Sequence, residues 1–331
     1  MIVRFVSSLL LCLLPLWVVA SELPVAIALY GGAGTIERDR MSAEVEADYR
    51  SFLDRAISDG YRQLQAGDDG LDVVVAIIQR MEDSPLFNAG KGSVYTWDGQ
   101  HELDASIMHG AQMDAGAVAG VTTVQSPIAL ARAVMEQSPH VMLASKGAEQ
   151  FARELGIPEV SPAYFETERR KRALESYKAR KQAGVETHVD HKFGTVGVVV
   201  LDSKGNLVAG TSTGGMTGKR WGRIGDAPVI GAGTYADNRS CAVSATGHGE
   251  YFIRHTVARD ICARMQFAGQ SLQEAAETVI MDELVVAGGH GGIVAVDASG
   301  EVSMVFNTPG MYRASVSGSG EKCIGIFGDE P

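Results

Sequence analysis

A threonine stands directly after a glycine at the opening of an apolar run, Phe193-Gly194-Thr195-Val196-Gly197-Val198-Val199-Val200-Leu201. If the chain were cut before Thr195, one residue would carry a nucleophilic hydroxyl and, in its freed α-amino group, the base that activates it. That amine has an unperturbed pKa of roughly 7.7 to 8, so a useful fraction is neutral near pH 7. Such a pair needs no histidine. Taken alone, the segment also reads as an ordinary buried strand, because Val, Leu and Thr are common strand formers.

The residues before it favour the cut. Glu166, Glu168, Arg169, Arg170, Lys171, Arg172, Lys178, Arg180, Lys181 and Glu186 crowd residues 161–192, where apolar positions are few. This stretch is predicted as an exposed, partly helical linker, and weakly packed backbone tolerates cleavage.

Three further groups could serve the same chemistry. Thr211-Ser212-Thr213-Gly214-Gly215 closes a hairpin whose turn at 202–206 returns the chain to its starting edge, which brings Thr213 beside Thr195. The loop Gly218-Lys219-Arg220-Trp221-Gly222-Arg223-Ile224-Gly225-Asp226 offers a guanidinium for bidentate capture of a carboxylate. Asp226 suits an ammonium, so the two would clamp an α-amino acid head group or, more simply, form a surface ion pair. Ser244-Ala245-Thr246-Gly247-His248-Gly249-Glu250 passes from strand to helix and exposes N–H groups at a positive dipole end. The Thr246 hydroxyl and Gly247 N–H there could stabilise an oxyanion, at about 3 to 4 kcal/mol of barrier per donor. His248 is expected to pack at the helix start rather than act as a base. Asn88, in Pro85-Leu86-Phe87-Asn88-Ala89-Gly90-Lys91-Gly92, reads from composition as a turn residue.

The elements that must position these residues are legible in outline. A buried strand at 24–30 leads into Gly31-Gly32-Ala33-Gly34, predicted as a turn whose spacing matches no phosphate-binding motif. Helical periodicity runs over 43–66 and 71–81, the second nearly apolar all round and so expected between layers. Strands at 92–96, 103–108 and 115–121 and helices near 128–135 and 143–155 complete the first half. After Thr195 come two hairpins, 195–212 and 292–306, with a strand at 241–244 and helices at 250–267 and 271–285 between them. Strand-rich and helix-rich parts on both sides of the linker predict an α/β protein, two packed sheets with helices outside, in a four-layer α/β/β/α sandwich.

Composition bounds the rest. The 331 residues allow one large domain or two ordinary ones, and 45% apolar content is enough for a sizeable core. A formal charge of −11 and a pI near 5.2 argue against nucleic acid or an anionic membrane surface as partner. Residues 1–20 have the form of a secretory signal: Arg4, an apolar run at 8–19 and the small-residue end Val18-Val19-Ala20. The run is shorter than the ~20 residues a membrane span needs, so export with removal near Ala20 is expected. Cys241, Cys262 and Cys323 then remain, an odd set in which one bridge could form without the spacing saying which. No Cys/His spacing fits a zinc site, and His188 and His191 are expected to be solvated.

Taken together, Gly194-Thr195-Val196-Gly197, Thr211-Ser212-Thr213-Gly214-Gly215, Gly222-Arg223-Ile224-Gly225-Asp226, Gly231-Ala232-Gly233-Thr234-Tyr235-Ala236-Asp237-Asn238 and Thr246-Gly247-His248-Gly249-Glu250 resemble one family. It is the plant-type asparaginases, or isoaspartyl peptidases, of the N-terminal-nucleophile (Ntn) hydrolases, and the likeness runs over about 26–313. The resemblance implies self-cleavage between Gly194 and Thr195 into an α chain, 21–194, and a β chain, 195–331, with two αβ units pairing as a heterotetramer. It implies Thr195 as nucleophile and Thr213 as its helper. Arg223 and Asp226 would hold the α-carboxylate and α-amino groups of a small-molecule substrate, Thr246 and Gly247 would bind the oxyanion, and Gly249 and Asn88 would line the pocket. No catalytic cofactor is implied. A structural sodium ion would lie on main-chain oxygens of Met81, Glu82, Ser84, Phe87, Ala89 and Lys91. The implied substrates are β-aspartyl dipeptides and L-asparagine; a glycosylasparaginase and an uncleaved amino-acid-binding protein are the alternatives. Two positions depart from the family pattern: Tyr30, where histidine is frequent, and His109, where aspartate is common.

Overall fold

The computed structural model describes residues 23–184 and 192–330; the expected signal, 1–20, and His188 and His191 lie outside the described residues. The larger sheet contains β1 (Ala26–Gly34), β2 (Leu103–His109), β3 (Asp114–Val121), β4 (Met142–Ala144), β5 (Lys192–Phe193), β6 (Val196–Leu201) and β7 (Leu207–Thr213). The smaller holds β8 (Thr234–Ala236), β9 (Cys241–Gly247), β10 (Gly291–Asp297) and β11 (Val302–Ser303), and β12 (Gly310–Val316) and β13 (Lys322–Phe327) return to the larger. Strand orders are β13-β12-β1-β6-β7-β2-β3-β4, with β5 on β1, and β11-β10-β9-β8. Only β3 and β4 pair in parallel among the described strands.

Strand periodicity builds the layers. On β1 and β6, Ile27, Leu29, Val196, Val198 and Val200 face one core, with Leu53 and Ile57 of α1 (Ala43–Gln65) and Val74 and Ile78 of α2 (Gly70–Glu82). The alternate residues Ala28, Tyr30, Val199 and Leu201 face a second core shared with the smaller sheet. Both faces of these strands are covered, so they read as unbroken apolar runs. Helices α3 (Pro127–Gln137) and α4 (Ser145–Glu154) complete the first outer layer, and α5 (Glu168–Gln182) follows. The last layer holds α6 (Gly249–His255), α7 (Val257–Ala263), α8 (Leu272–Glu277) and α9 (Leu284–Ala287). The result is the four-layer α/β/β/α sandwich.

Several expectations are corrected. Gly31 to Gly34 do not turn the chain but continue β1, with an irregularity between Tyr30 and Ala33. Residues 92–96 are loop, not strand, because Gly90 and Gly92 take positive φ and the Val94 N–H is given to the Asn88 side chain. The helix expected over 250–267 breaks at Thr256, which has φ 48°, and widens to a π-helical turn over Arg264–Ala268. Within the charged stretch α5 is a regular helix, capped by Thr167 and burying only Leu174 among its residues. Cys241 and Cys262 form a disulfide joining β9 to α7, and Cys323 is unpaired. No helix among the described residues is long and apolar enough to cross a membrane.

Candidate active site

β5 and β6 lie end to end along one edge of β1, with Phe193 opposite Ala33 and Gly197 opposite Tyr30. The residues between them, Gly194 to Val196, outnumber Gly31 and Gly32 on the facing strand by one. The ladder therefore breaks at the Gly194–Thr195 peptide, as in a bulge, and leaves the Gly194 carbonyl to side-chain donors. Asn88 Nδ2 donates to it at 2.5 Å and Thr213 Oγ1 at 3.1 Å. Thr195 Oγ1 donates to Thr213 Oγ1 at 3.0 Å, and the Gly215 N–H donates to the same oxygen at 3.0 Å. With both acceptor positions of Thr213 filled, its own proton is directed to Gly194. The group thus polarises one carbonyl beside an oriented hydroxyl.

Asn88 is more than a turn residue. Its Oδ1 accepts from Val94 N at 2.8 Å, its second Nδ2 proton goes to Gly215 O at 2.8 Å, and its own carbonyl accepts from Gly214 N at 3.1 Å. Position 194 must be glycine for a close approach: a Cβ there would lie 2.5 Å from Asn88 Cβ.

Arg223, Asp226 and Gly249 form a second group. A Cβ on Gly249 would lie 2.8 Å from Asp226 Oδ1 and 2.9 Å from Arg223 Nη2, so this glycine floors the space between the two charges. Arg223 also forks onto Glu250, Nε to Oε1 and Nη2 to Oε2, both at 2.9 Å. Burial works against ionising Glu250, but its bonds from Arg223 outweigh that and hold its carboxyl below the ordinary range. Asp226 is different. Burial pushes it up to about 7 against a backbone N–H and the Arg223 charge, and its Oδ2 is buried with no hydrogen-bond partner. The buried Thr246 Oγ1, at the end of β9, also lacks a partner. His248 packs against Tyr251 and sits 3.4 Å from Glu250, as expected of a residue at a helix start.

Two sets of contacts join the groups. Asp104 on β2 is paired in register with Thr213, lies 3.9 Å from the buried Lys219 ammonium and feels the charge of Arg223. Across the sheets, Thr211 Oγ1 meets Thr234 Oγ1 at 2.5 Å and Ser244 Oγ at 2.6 Å, and Ser106 donates to Thr234 at 2.7 Å. Tyr30 donates to Ala245 O at 2.5 Å, locking β1 to the strand that ends in Thr246 and Gly247. Burial raises the Tyr30 phenol well above its usual pKa, so it remains a donor. His109 lies at the far end of β2, opposite Val208 and Asp114.

Behind Asn88 the chain curls tightly. Gly90 and Gly92 have φ of 50° and 97°; a Cβ on Gly92 would meet Phe87 O and Pro85 O, each at 2.8 Å. The Glu82 carbonyl accepts from Lys91 N at 2.6 Å, and Met81 O from Ser84 N at 3.2 Å. A curl of carbonyl oxygens with no room for a side chain is compatible with a hard cation. The Glu82 side chain turns the other way, accepting from Ser126 and Ser212 hydroxyls at 2.6 Å each and from Ile128 N at 3.0 Å. Burial nevertheless raises its carboxyl to about 7.

Sequence reasoning missed Glu250 as partner of Arg223, and Asp104, Lys219 and the buried hydroxyls. Glu250 stood within a singled-out motif, and an acid at a helix start beside an arginine loop was its signal.

A family model described as asparaginase matches residues 23–326. The chain belongs to the asparaginase family. It is 50% identical over 297 residues to the isoaspartyl peptidase of Salmonella typhimurium, covering 87% of this chain and 94% of that protein. The Escherichia coli isoaspartyl peptidase is also 50% identical, over 87% and 91% of the two chains. The human isoaspartyl peptidase/L-asparaginase is 41% identical over 307 residues, 93% and 97% of the chains. As an asparaginase-family member the protein is a hydrolase acting on amide bonds, and its sandwich is that of the Ntn hydrolases.

Proposed function

We propose that the protein hydrolyses β-aspartyl dipeptides and L-asparagine with Thr195 as an N-terminal nucleophile freed by self-cleavage. The observation that carries this reading is the hydrogen-bond chain Thr195–Thr213–Gly194, completed by Asn88 on the same carbonyl. In the precursor Thr195 Oγ attacks the Gly194 carbonyl carbon, its proton passing to the leaving nitrogen, and the peptide becomes an ester. Water cleaves the ester, leaving a Gly194 carboxylate and a free amine on Thr195. That amine then takes the hydroxyl proton while Oγ attacks the substrate's β-carbonyl, and it returns the proton to the departing amine. Arg223 and Asp226 hold the aspartyl carboxylate and ammonium, and Thr246 and Gly247 N–H steady the oxyanion. Water releases aspartate from the β-aspartyl ester.

Relatives named for isoaspartyl and asparagine hydrolysis support the substrate class. The Cys241–Cys262 bridge supports export to an oxidising compartment after loss of 1–20. Main-chain oxygens of Met81, Glu82, Ser84, Phe87, Ala89 and Lys91 would hold a sodium ion that stiffens the Asn88 loop, and two αβ units would pair as a heterotetramer. Thr195→Ala tests the function: the variant chain stays whole and hydrolyses neither substrate. Wild-type turnover by that variant would sink the proposal. Faster turnover of glycosylated asparagine than of dipeptide would select the glycosylasparaginase reading instead.

A further inference from the structure

On the β1 side of Gly194 the surface opens into a cavity of about 430 Å³ whose wall includes Gly31, Gly32, Asn88, Gly194, Arg169 and Arg170. Both arginines project from the first turn of α5, and the loop that carries Asn88 anchors them. Arg169 Nη2 donates to Pro85 O at 3.0 Å and Leu86 O at 2.7 Å, its Nη1 to Tyr49 Oη at 3.1 Å, and Arg170 Nε to Gly92 O at 2.6 Å. These acceptors are neutral. Among the described residues no carboxylate bonds to either guanidinium, and Glu37, the one acid on the cavity wall, is taken by Arg40 at 2.8 Å. Two cations on the wall that also holds Gly194, with no anion bonded to them among the described residues, form a receptor for one.

The sheet order says which anion. Thr195 directly precedes β6, which lies between β1 and β7. The Arg223 and Asp226 group is reached through Thr213 on β7 and Asp104 on β2, whereas the arginine cavity lies against β1. A substrate with its aspartyl head group in the clamp and its amide at Thr195 therefore sends its leaving residue toward the arginines. The leaving residue of a β-aspartyl dipeptide carries a free α-carboxylate two bonds from the scissile nitrogen; L-asparagine carries nothing there.

We propose that Arg169 and Arg170 form the leaving-group subsite, binding the α-carboxylate of the amino acid released from a β-aspartyl dipeptide and favouring dipeptides over L-asparagine. The inference rests on the amidohydrolase reading above. Its test compares kcat/KM for a β-aspartyl dipeptide with a free C-terminal carboxylate, the same dipeptide as its C-terminal amide, and L-asparagine. Wild-type enzyme and the R169Q and R170Q variants are compared, with rates normalised to the processed fraction. Wild type should prefer the free acid over the amide by about tenfold or more, mainly through KM, as a charge-assisted hydrogen bond warrants. In each variant that preference should fall toward one, and the ratio of dipeptide to L-asparagine turnover should fall with it. Equal use of free acid and amide by wild type would assign the arginines to the chain's own Gly194 carboxylate and overturn the subsite, with no variant needed. Equal losses on all three substrates would mean that they only brace the Asn88 loop, and would also overturn it. A wild-type enzyme that turned over none of the three would instead overturn the amidohydrolase reading, and the subsite with it.

Discussion

Replacing Thr213 by valine removes a hydroxyl at almost constant volume, and the structure says what goes with it. Three hydrogen bonds disappear: the acceptor for Thr195 Oγ1 at 3.0 Å, the acceptor for Gly215 N at 3.0 Å and the donor to Gly194 O at 3.1 Å. Asn88 Nδ2 still donates to the carbonyl at 2.5 Å, so half of the polarisation survives. Loss of one oxyanion-type donor costs about 100- to 1,000-fold in rate. Freeing the attacking hydroxyl from its fixed direction adds to that, so self-cleavage of Thr213→Val should slow by at least about a hundredfold. The unpaired Gly215 N–H costs roughly 1 to 3 kcal/mol, which lowers the melting temperature without preventing folding. The assay follows freshly made precursor by denaturing gel and intact mass, with circular dichroism as the check on folding. Thr213→Ser keeps the hydroxyl and should cut at close to the wild-type rate. A folded Thr213→Val precursor cutting as fast as wild type would refute the relay.

Three other outcomes follow from the site. Burial raises Asp226 to about 7, and in the proposed mechanism the substrate ammonium needs its carboxylate, so kcat/KM should fall below pH 7. The Thr195 amine must also be neutral, so the acid limb of the pH profile should approach a slope of two; a slope of one would remove Asp226 from binding. Gly249→Ala places a Cβ 2.8 Å from Asp226 Oδ1 and 2.9 Å from Arg223 Nη2, so it should raise KM about tenfold or more while self-cleavage stays normal. Unchanged steady-state kinetics would separate that glycine from the clamp. Glu82, raised from 4.5 to about 7, keeps its proton in the folded chain over a window where the unfolded chain has lost it. Stability should therefore fall as pH rises through that window, and Glu82→Gln should flatten the fall by up to about 3 kcal/mol at pH 8, with no difference below pH 4.5. Denaturant unfolding in the uncut Thr195→Ala background reads this on a single chain, and parallel curves for the two proteins would count against a protonated Glu82.

Local pattern made much of the site legible. Thr195 and Thr213 could be paired from sequence because a hairpin with its turn at 202–206 fixes which residues meet at its open end, and β6 and β7 pair Val196 with Ser212. The contacts of Asn88 could not be read from its own segment, since its partners Gly194 and Gly215 are more than a hundred residues away. The link from Arg223 to Glu250 depends on how a loop folds back over a helix start, which no periodicity records. β12 escaped notice because Gly-Met-Tyr-Arg-Ala-Ser-Val does not alternate cleanly; its burial comes from lying beside β1. The glycine run at 31–34 looked like a turn because glycine permits one, yet here it lets β1 bulge opposite the Gly194–Thr195 peptide.

In the proposed mechanism Gly194–Thr195 is cut and the freed threonine is the nucleophile. N-terminal sequencing of the purified protein tests it most directly. Two starts are expected, one near Ser21 and one at Thr195 reading Thr-Val-Gly-Val-Val. An active enzyme yielding only the first, as one unbroken chain, would contradict it.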